Sequence, residues 1–238
     1  MRRPRTRGPG AGGSRLQFHL RLALLCLLAM PGAIAAPAQQ QPSPPFTVTL
    51  SPAATNIHWT LDTTLHTVHG TFRLKSGSLQ IDPATGDASG AIVIDAASGE
   101  SGDTARDRRM HSVVLESARY PAITFRPTHV SGSIDLAKGS EVKVDGIFNL
   151  HGADHTVQLT VDLHPQSTGV APVTSVALTT HFSIPFVAWG MKDPSTFVFR
   201  TEKQVAIDVD ATFVPTPEAS RETPARPILH PSEVHTAQ

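Results

Sequence analysis

Apolar and polar residues alternate with a period of two over most of the chain between residues 46 and 213. In most runs, branched or aromatic side chains occupy one set of positions, while the other set consists mainly of Thr, His, Ser and charged side chains. The runs are Phe46 to Leu50, Ile57 to Leu61, Val68 to Leu74, Ile92 to Ile94, Ile123 to Phe125, Val142 to Leu150, Val157 to Leu163, Val176 to Ile184 and Val205 to Phe213. Such alternation, bounded by Gly, Pro, Asp and Ser, predicts antiparallel strands buried on one face.

Short polar segments connect these predicted strands. Asp82 to Asp87 places Pro and Gly where β-turns prefer them, and Lys75 to Ser78 has the composition of a tight turn. His151 to Asp154 connects its two strands as a hairpin. Eight to ten strands in series predict an all-β meander, and closure into an antiparallel barrel of about eight strands removes the exposed edges.

One segment, Asp107 to Ala118, departs from the alternation and is compatible with a helix. Tyr120-Pro121 follows it, and the residue before a proline disfavours helical backbone. The side chains that share one face of this predicted helix are those of Met110, Val113, Val114 and Ser117. The sequence therefore predicts a single short helix within an otherwise all-β fold.

The first 35 residues have the order of a secretory signal peptide. A basic stretch precedes the apolar run Leu22 to Met30, and Ala33 and Ala35 provide a cleavage site of small residues. The apolar run is shorter than the length needed to cross a bilayer core of about 30 Å, although a retained anchor helix is the alternative. We expect cleavage after Ala35 and a periplasmic or secreted protein without a stable membrane span.

Composition divides the remainder into three parts. Residues 36–45 are a Pro/Gln-rich linker, residues 46–214 are one folded domain, and residues 215–238 are a Pro-rich tail predicted to be disordered.

Lys+Arg and Asp+Glu both number 20, which argues against a nucleic-acid-binding surface. The only cysteine, Cys26, lies in the predicted signal peptide, so we expect no disulfide and no thiol nucleophile in the exported protein.

The sequence contains no recognisable catalytic or metal-binding pattern. A Gly-x-Ser-x-Gly elbow, a Gly-rich phosphate loop and a dinucleotide fingerprint are all absent. His66 and His69 point to opposite faces of a strand, and the pair His151 and His155 has no third ligand nearby in the sequence. We therefore predict neither an enzyme nor a metal site.

Three blocks of the sequence resemble the YceI family. The first block comprises Ile57, Trp59, Leu65, His66, Val68, Gly70 and Phe72; the second comprises Thr104 to Asp107, Met110, Ser112, Leu115, Glu116, Tyr120, Pro121, Ile123 and Phe125; the third comprises Gly146, Phe148, Leu150, Gly152, His155, Val157 and Leu159. They occur in the family's order and cover most of residues 55–165. The segment from Trp189 to Thr196 departs from the family pattern and indicates a divergent branch.

The resemblance implies an extended, lipocalin-like barrel in the periplasm that holds a long isoprenoid, or a quinone-like lipid, in its lumen. It also implies that Arg106 and Asp107 fix a turn, while Met110, Val114 and Leu115 pack against one barrel end; a lid over the lumen is an alternative role for this segment. The candidates for lumen contact are Trp59, Leu61, Phe72, Ile92, Ile94, Phe125, Phe148 and Phe182. The candidates for contact with an anionic headgroup are Arg73, Lys75, Arg106, Arg126 and Lys192.

The residues also allow a barrel that is packed solid. In that alternative the protein has a structural or stress-response role without a lipid, and it binds a partner through the apolar residues Ala188 to Met191. A homodimer is compatible with either interpretation. The volume of the lumen distinguishes the two, because a ligand site requires a continuous apolar cavity of several hundred Å³.

Overall fold

Ten strands form one antiparallel sheet in a computed structural model that describes residues 44–166, 175–196 and 200–218. Their bounds are β1 Phe46–Leu50, β2 Thr55–Asp62, β3 Thr67–Ile81, β4 Ala88–Glu100, β5 Ala122–Ser131, β6 Ser140–Leu150, β7 Ala153–Gln166, β8 Ser175–Ile184, β9 Val205–Phe213 and β10 Thr216–Pro217. The predicted signal peptide, all but the last two linker residues, and residues 219–238 of the predicted tail lie outside the described residues. Within the described residues, no helix is both long and apolar enough to span a membrane.

Strands β2 to β9 close into a barrel. Their order is β3-β2-β9-β8-β7-β6-β5-β4, and β4 pairs with β3 to complete the circle. The predicted all-β, eight-stranded antiparallel barrel with one short helix is thereby confirmed. β1 and β10 lie outside the closed ring, where β1 pairs with the second half of β3 and β10 pairs with β1.

The predicted tight turn at Lys75 to Ser78 is wrong, because these residues lie inside the continuous strand β3. The pairing of β3 with β4 shifts register between Leu74 and Ser76, so the strand bends there without ending. A Cβ at Gly77 would lie 3.0 Å from the Cβ of Leu50, which shows that this glycine permits close approach of β1. In addition, Thr216 and Pro217, predicted as disordered tail, pair with β1.

Two predicted turns are confirmed. Between β3 and β4, the Gly86 amide donates to the carbonyl of Asp82 at 2.8 Å, and Gly86 has a φ of 79° that suits glycine. Between β6 and β7, His151 and Gly152 both have positive φ, at 54° and 77°. Consecutive left-handed residues match the twist of a two-residue hairpin, so β6 and β7 pair without interruption from Ser140 to Leu150.

The helix begins earlier than predicted, as α1 Thr104–Arg109, and continues as a π-helical turn over Met110–Val114. Asp103 sets the start, because its carboxylate accepts hydrogen bonds from the amides of Ala105 and Arg106, both at 2.9 Å. The π turn is closed by the amide of Leu115, which donates to the carbonyl of Met110 at 2.9 Å. We call the end of the barrel that carries α1 the helix end, and the opposite end the far end.

Ser101 joins α1 to the end of β4, as the family resemblance implies for Arg106 and Asp107. The Arg106 side chain donates from Nε to Ser101 Oγ at 2.6 Å and from Nη2 to the Ser101 carbonyl at 2.9 Å. Asp107 accepts from the Ser101 amide at 2.9 Å. A second connection runs from Glu116 to His151 of the β6–β7 turn, with an O–N distance of 2.7 Å. The helical segment is therefore attached to the barrel at both of its ends.

Gly70 is expected to be intolerant of any side chain. A Cβ there would lie 2.2 Å from the Glu100 carbonyl oxygen and 2.3 Å from the indole of Trp59. Relieving either clash requires a shift of the backbone or of a buried ring, and such shifts lower the stability of the fold. We expect Gly70→Ala to lower the free energy of unfolding by about 1–3 kcal/mol, as measured by urea denaturation. Ser78→Ala, an exposed change on the same strand, should stay within about 0.5 kcal/mol of the parent; equal effects of both substitutions would contradict this account.

Candidate functional site

An apolar cavity of ≈490 Å³ occupies the helix-end half of the barrel. Strands β2, β8 and β9 each contribute inward-facing side chains from alternate positions, such as Val205, Ile207 and Val209 on β9. The helical segment contributes Met110, Val114 and Leu115, which are the residues that the family resemblance places against one barrel end. The cavity is thus bounded by apolar side chains of the strands and of the helical segment.

Six of the eight predicted lumen residues lie in the cavity wall. They are Trp59, Leu61, Phe72, Ile94, Phe148 and Phe182. Ile92 and Phe125 do not reach the cavity. They pair with each other across β4 and β5, and the Phe125 ring covers Gly146, where a Cβ would come within 2.6 Å of the ring. Contact between any of the eight and a ligand stays a prediction.

Several wall residues were not among the predicted ones. They are mainly aliphatic: Ile57, Val68, Ile123, Leu150, Ile184, Val205, Ile207 and Val209, together with Phe186 and Met191 from the segment after β8. For the residues of β2 to β8 the signal was present, because each occupies the same phase of the alternation as a predicted residue on its own strand. On β9 the alternation of Val205, Ile207 and Val209 was recognised, but none of the three was predicted to contact a ligand. For Phe186 and Met191, no periodic signal exists in that irregular segment.

The rim of the cavity is polar and carries two arginines. Arg106 and Arg109 of α1 line it together with Thr63 and Thr201. Arg109 donates from Nη2 to the Pro194 carbonyl at 3.5 Å, while Arg106 is held by Ser101. Neither guanidinium belongs to an ion pair among the described residues. The rim therefore places two positive charges beside an apolar cavity.

The other headgroup candidates do not lie in this cavity wall. Arg126 pairs with Asp154 on the exposed surface at 3.0 Å. Arg73 and Lys75 line a second cavity of ≈470 Å³ beside β2 and β3, which has a mixed polar and apolar lining that includes Thr55 and Leu74. Lys192 does not line either cavity. Of the predicted candidates only Arg106 is at the rim, and Arg109 was missed because its position depends on where α1 begins.

The apolar segment Ala188 to Met191 is only partly the exposed patch that the sequence suggested, because Ala188 and Gly190 are exposed, Trp189 is partly buried and Met191 is buried. Trp189 stacks on His155 with ring centroids 4.0 Å apart and planes within 4°, and its ring lies 5.9 Å from that of Phe148. Met191 is 3% exposed and lines the cavity. Met191 therefore belongs to the cavity wall, and stacking on His155 covers part of Trp189, which leaves less apolar surface for a partner than the sequence suggested.

A hydrogen-bonded turn from Asp193 to Ser195 adjoins α1 at the rim, where Arg109 donates to the Pro194 carbonyl. Asp193 accepts from the amide of Ser195 at 2.8 Å, and the Thr201 amide donates to Ser195 Oγ at 3.0 Å. Hydrogen bonds from the side chain and the amide of Ser195 hold the pKa of Asp193 below its usual value. A lowered pKa means that this carboxylate contributes stability above pH 3.8, its unfolded value, and loses it as the pH falls through the folded pKa.

The histidines predicted to be poor metal ligands make other contacts. His151 is bonded to Glu116, and the ring of Tyr120 lies 4.3 Å from it. His155 stacks on Trp189. In the part of the chain that the structure describes, no three His, Cys, Asp or Glu side chains are grouped closely enough to hold a metal ion.

Comparison with known proteins adds a family and two similar folds. The YceI-like domain model matches residues 48–213. BcnA from Burkholderia cenocepacia is similar in structure, with a TM-score of 0.54 and 16% identity over 68% of this chain and 98% of its own. A polyisoprenoid-binding domain from Saccharophagus degradans, implicated in plant cell wall breakdown, has a TM-score of 0.52 and 16% identity over 71% and 97%. No curated protein sequence matches the chain.

The Asp193 turn is expected to depend on its carboxylate. We expect Asp193→Ala to accelerate amide hydrogen exchange at Ser195 by about three- to tenfold at pH 7, because a partly exposed charged acceptor is lost. NMR-detected exchange measures this for single amides. Asp135→Ala is the matched control, since Asp135 accepts from the amides of Ala137 and Lys138 in a turn at the far end. Unchanged exchange at Ser195 would contradict the assigned role.

Proposed function

The chain belongs to the YceI-like domain family, and from this premise we propose that it is an exported carrier of a long-chain isoprenoid or a quinone-like lipid. The ligand occupies the cavity at the helix end, and its tail lies against the apolar wall. Carriage of this kind serves transport, storage or protection of the lipid. The predicted signal peptide of residues 1–35 supports a periplasmic or secreted location.

The apolar cavity is the observation that carries this proposal. Its wall consists almost entirely of aliphatic and aromatic side chains, so a hydrocarbon tail enters without needing hydrogen bonds. Each Å² of tail surface removed from water contributes about 25 cal/mol. The Saccharophagus degradans protein of similar fold is a polyisoprenoid-binding domain, which supports the same ligand class here.

The rim supports a ligand that is polar at one end. The guanidinium groups of Arg106 and Arg109 stand at the cavity rim, where a lipid headgroup remains in contact with water. Arginine donates several hydrogen bonds in a fixed plane and keeps its charge at all physiological pH values. We therefore place the headgroup at the rim and the tail inside.

The alternative of a packed barrel that binds a partner is weaker. It requires a filled lumen, whereas ≈490 Å³ at the helix end is open, and it relies on residues 188–191, of which Trp189 and Met191 pack against the barrel. Catalysis is not part of the proposal, because the cavity wall contains no pair of groups suited to acid–base or nucleophilic chemistry among the described residues.

Filling the cavity should abolish lipid loading. Ile94 lies in the wall, and Ile94→Trp adds a large ring in the space that the tail would occupy. Native mass spectrometry of the full chain purified from a bacterial periplasm, followed by lipid extraction, should detect a discrete prenyl-lipid mass on the parent and at least tenfold less on this variant.

Val93→Trp is the matched control, because Val93 alternates with Ile92 and Ile94 on the same strand and is not part of the cavity wall. It introduces the same indole ring on the opposite face of β4, so loading should equal that of the parent. A parent protein that carries no lipid and takes up none when prenyl lipids are added would overturn the proposed function. Full loading of Ile94→Trp would contradict the assignment of the cavity as the site.

A further inference from the structure

Two residues that attach the helical segment to the barrel have a strained backbone. Among the described residues, Glu116 and His151 are the non-glycine residues with positive φ, at 45° and 54°. Left-handed backbone brings the Cβ of an L-residue too close to a neighbouring carbonyl oxygen, so glycine and asparagine usually occupy such positions. The two strained residues also contact each other, because His151 Nε2 donates to a carboxylate oxygen of Glu116 at 2.7 Å.

Both positions are ones where glycine is common. Glu116 follows the π-helical turn and its cap Leu115, at the place where many helices end in a left-handed glycine. His151 is the first residue of the two-residue turn between β6 and β7, where Asn or Gly is typical. Strained residues of this kind cluster at functional sites and switch regions. The contact between Glu116 and His151 is what a glycine at either position would remove.

The contact joins the helical segment to a part of the barrel that is distant in the sequence. The start of the segment is bonded instead to Ser101, at the end of β4. In the π-helical turn, His111 Nε2 donates to the carbonyl of Gly99, which also belongs to β4, at 2.8 Å. Loss of the contact between Glu116 and His151 therefore leaves the segment hinged on β4.

A segment hinged in this way opens the cavity. Its side chains Met110, Val114 and Leu115 are part of the cavity wall, so their movement gives a lipid tail a path inward without separating any strands. The segment is also bonded to the rim through Arg109, but that hydrogen bond to the Pro194 carbonyl is long, at 3.5 Å. The bond to the β6–β7 turn, at 2.7 Å and partly buried, is the stronger of the two.

We propose that Glu116 and His151 form a latch that keeps the helical segment closed over the cavity and limits the rate at which lipid enters and leaves. This inference rests on the proposed function and specifies how the same site is opened. Neither residue lines the cavity, so both act through the segment as positioning residues. Loss of the latch raises the population of the open segment and with it the rate of exchange.

Amide hydrogen exchange tests the latch in the absence of lipid. We expect His151→Gly and Glu116→Gly each to accelerate exchange about tenfold at the amide of Leu115, which donates to the Met110 carbonyl at 2.9 Å. Both variants lose a hydrogen bond to a charged acceptor, while glycine adopts positive φ readily, so both turns keep their shape. Amides in the ladder between β8 and β9 should exchange at the parent's rate. Unchanged exchange at Leu115 in both variants would overturn the latch.

Replacement of bound lipid tests the consequence for the carrier. The full-length protein is loaded with geranylgeraniol in non-ionic detergent, an excess of the deuterated alcohol is added, and native mass spectrometry follows the replacement of one by the other. Both glycine variants should exchange their lipid about tenfold faster than the parent. The double variant should be no faster than the faster single variant, because the two residues form one contact. Equal rates in the parent and in both single variants would overturn the inference.

Two further variants separate the latch from a general loss of stability. Glu116→Gln keeps an acceptor oxygen for His151 and should stay closer to the parent than Glu116→Gly; equal acceleration by both would contradict the hydrogen bond as the cause. His181→Ala is the matched control, because His181 makes a hydrogen bond of 2.6 Å to the Asp208 carboxylate on the exposed surface of the barrel. This control should exchange lipid at the parent's rate, and acceleration equal to that of the latch variants would overturn the inference.

The outcomes distinguish this inference from the proposed function. A protein that binds geranylgeraniol but exchanges it at one rate in the parent and all variants is still a carrier, and only the latch is overturned. A parent that binds no prenyl alcohol overturns the proposed function and the role of the latch in lipid exchange. Amide exchange at Leu115 then still decides whether Glu116 and His151 hold the segment closed.

Discussion

Closure of the barrel depends on strand β3, which pairs with three other strands along its length. Its first residues pair with β2, its last five with β1, and its opposite edge with β4. Such a strand has to bend, and the two register shifts in its pairing with β4 allow it to do so. At Gly70 it also has to let the Trp59 indole cross it. The part of the barrel that encloses the cavity and the part that is filled by side chains therefore both depend on the pairing of β3.

The helical segment fits into this frame as a cover for the open end. Ser101 receives Arg106 and Asp107 at its start, and His151 receives Glu116 at its other end. Between these two attachments Met110, Val114 and Leu115 complete the cavity wall. A charged turn and a short helix interrupt the strands at this point because no strand crosses the helix end of the barrel. The apolar side chains that complete the cavity wall there have to come from the helical segment. Arg106 therefore has two roles, because its hydrogen bonds to Ser101 fix the turn and its side chain also lies at the rim of the cavity.

The alternation along the sequence predicts which side chains of the strands face inward, and the features that it does not predict have physical reasons. Alternation reports which face of a strand is buried, so Trp59, Ile94 and Phe182 were assigned inward correctly. Alternation does not report depth along the barrel axis. Phe125 therefore looked equivalent to Phe148, although its ring lies over Gly146, beyond the cavity. The partial burial of Trp189 was equally unpredictable from the sequence, because its partner His155 is brought near only by the closed barrel.

The contrast between the two halves of the barrel is itself an argument for binding. Protein interiors keep few voids larger than a water molecule, because unfilled space forfeits dispersion contacts and costs stability. The part of the far end where β8 pairs with β9 obeys this rule, with Val176 completely buried and Phe213 paired with it. The helix end departs from it by ≈490 Å³ in the same chain. Folding alone gives no reason for that departure, whereas a lipid tail supplies the missing contacts and stabilises the folded state when it binds.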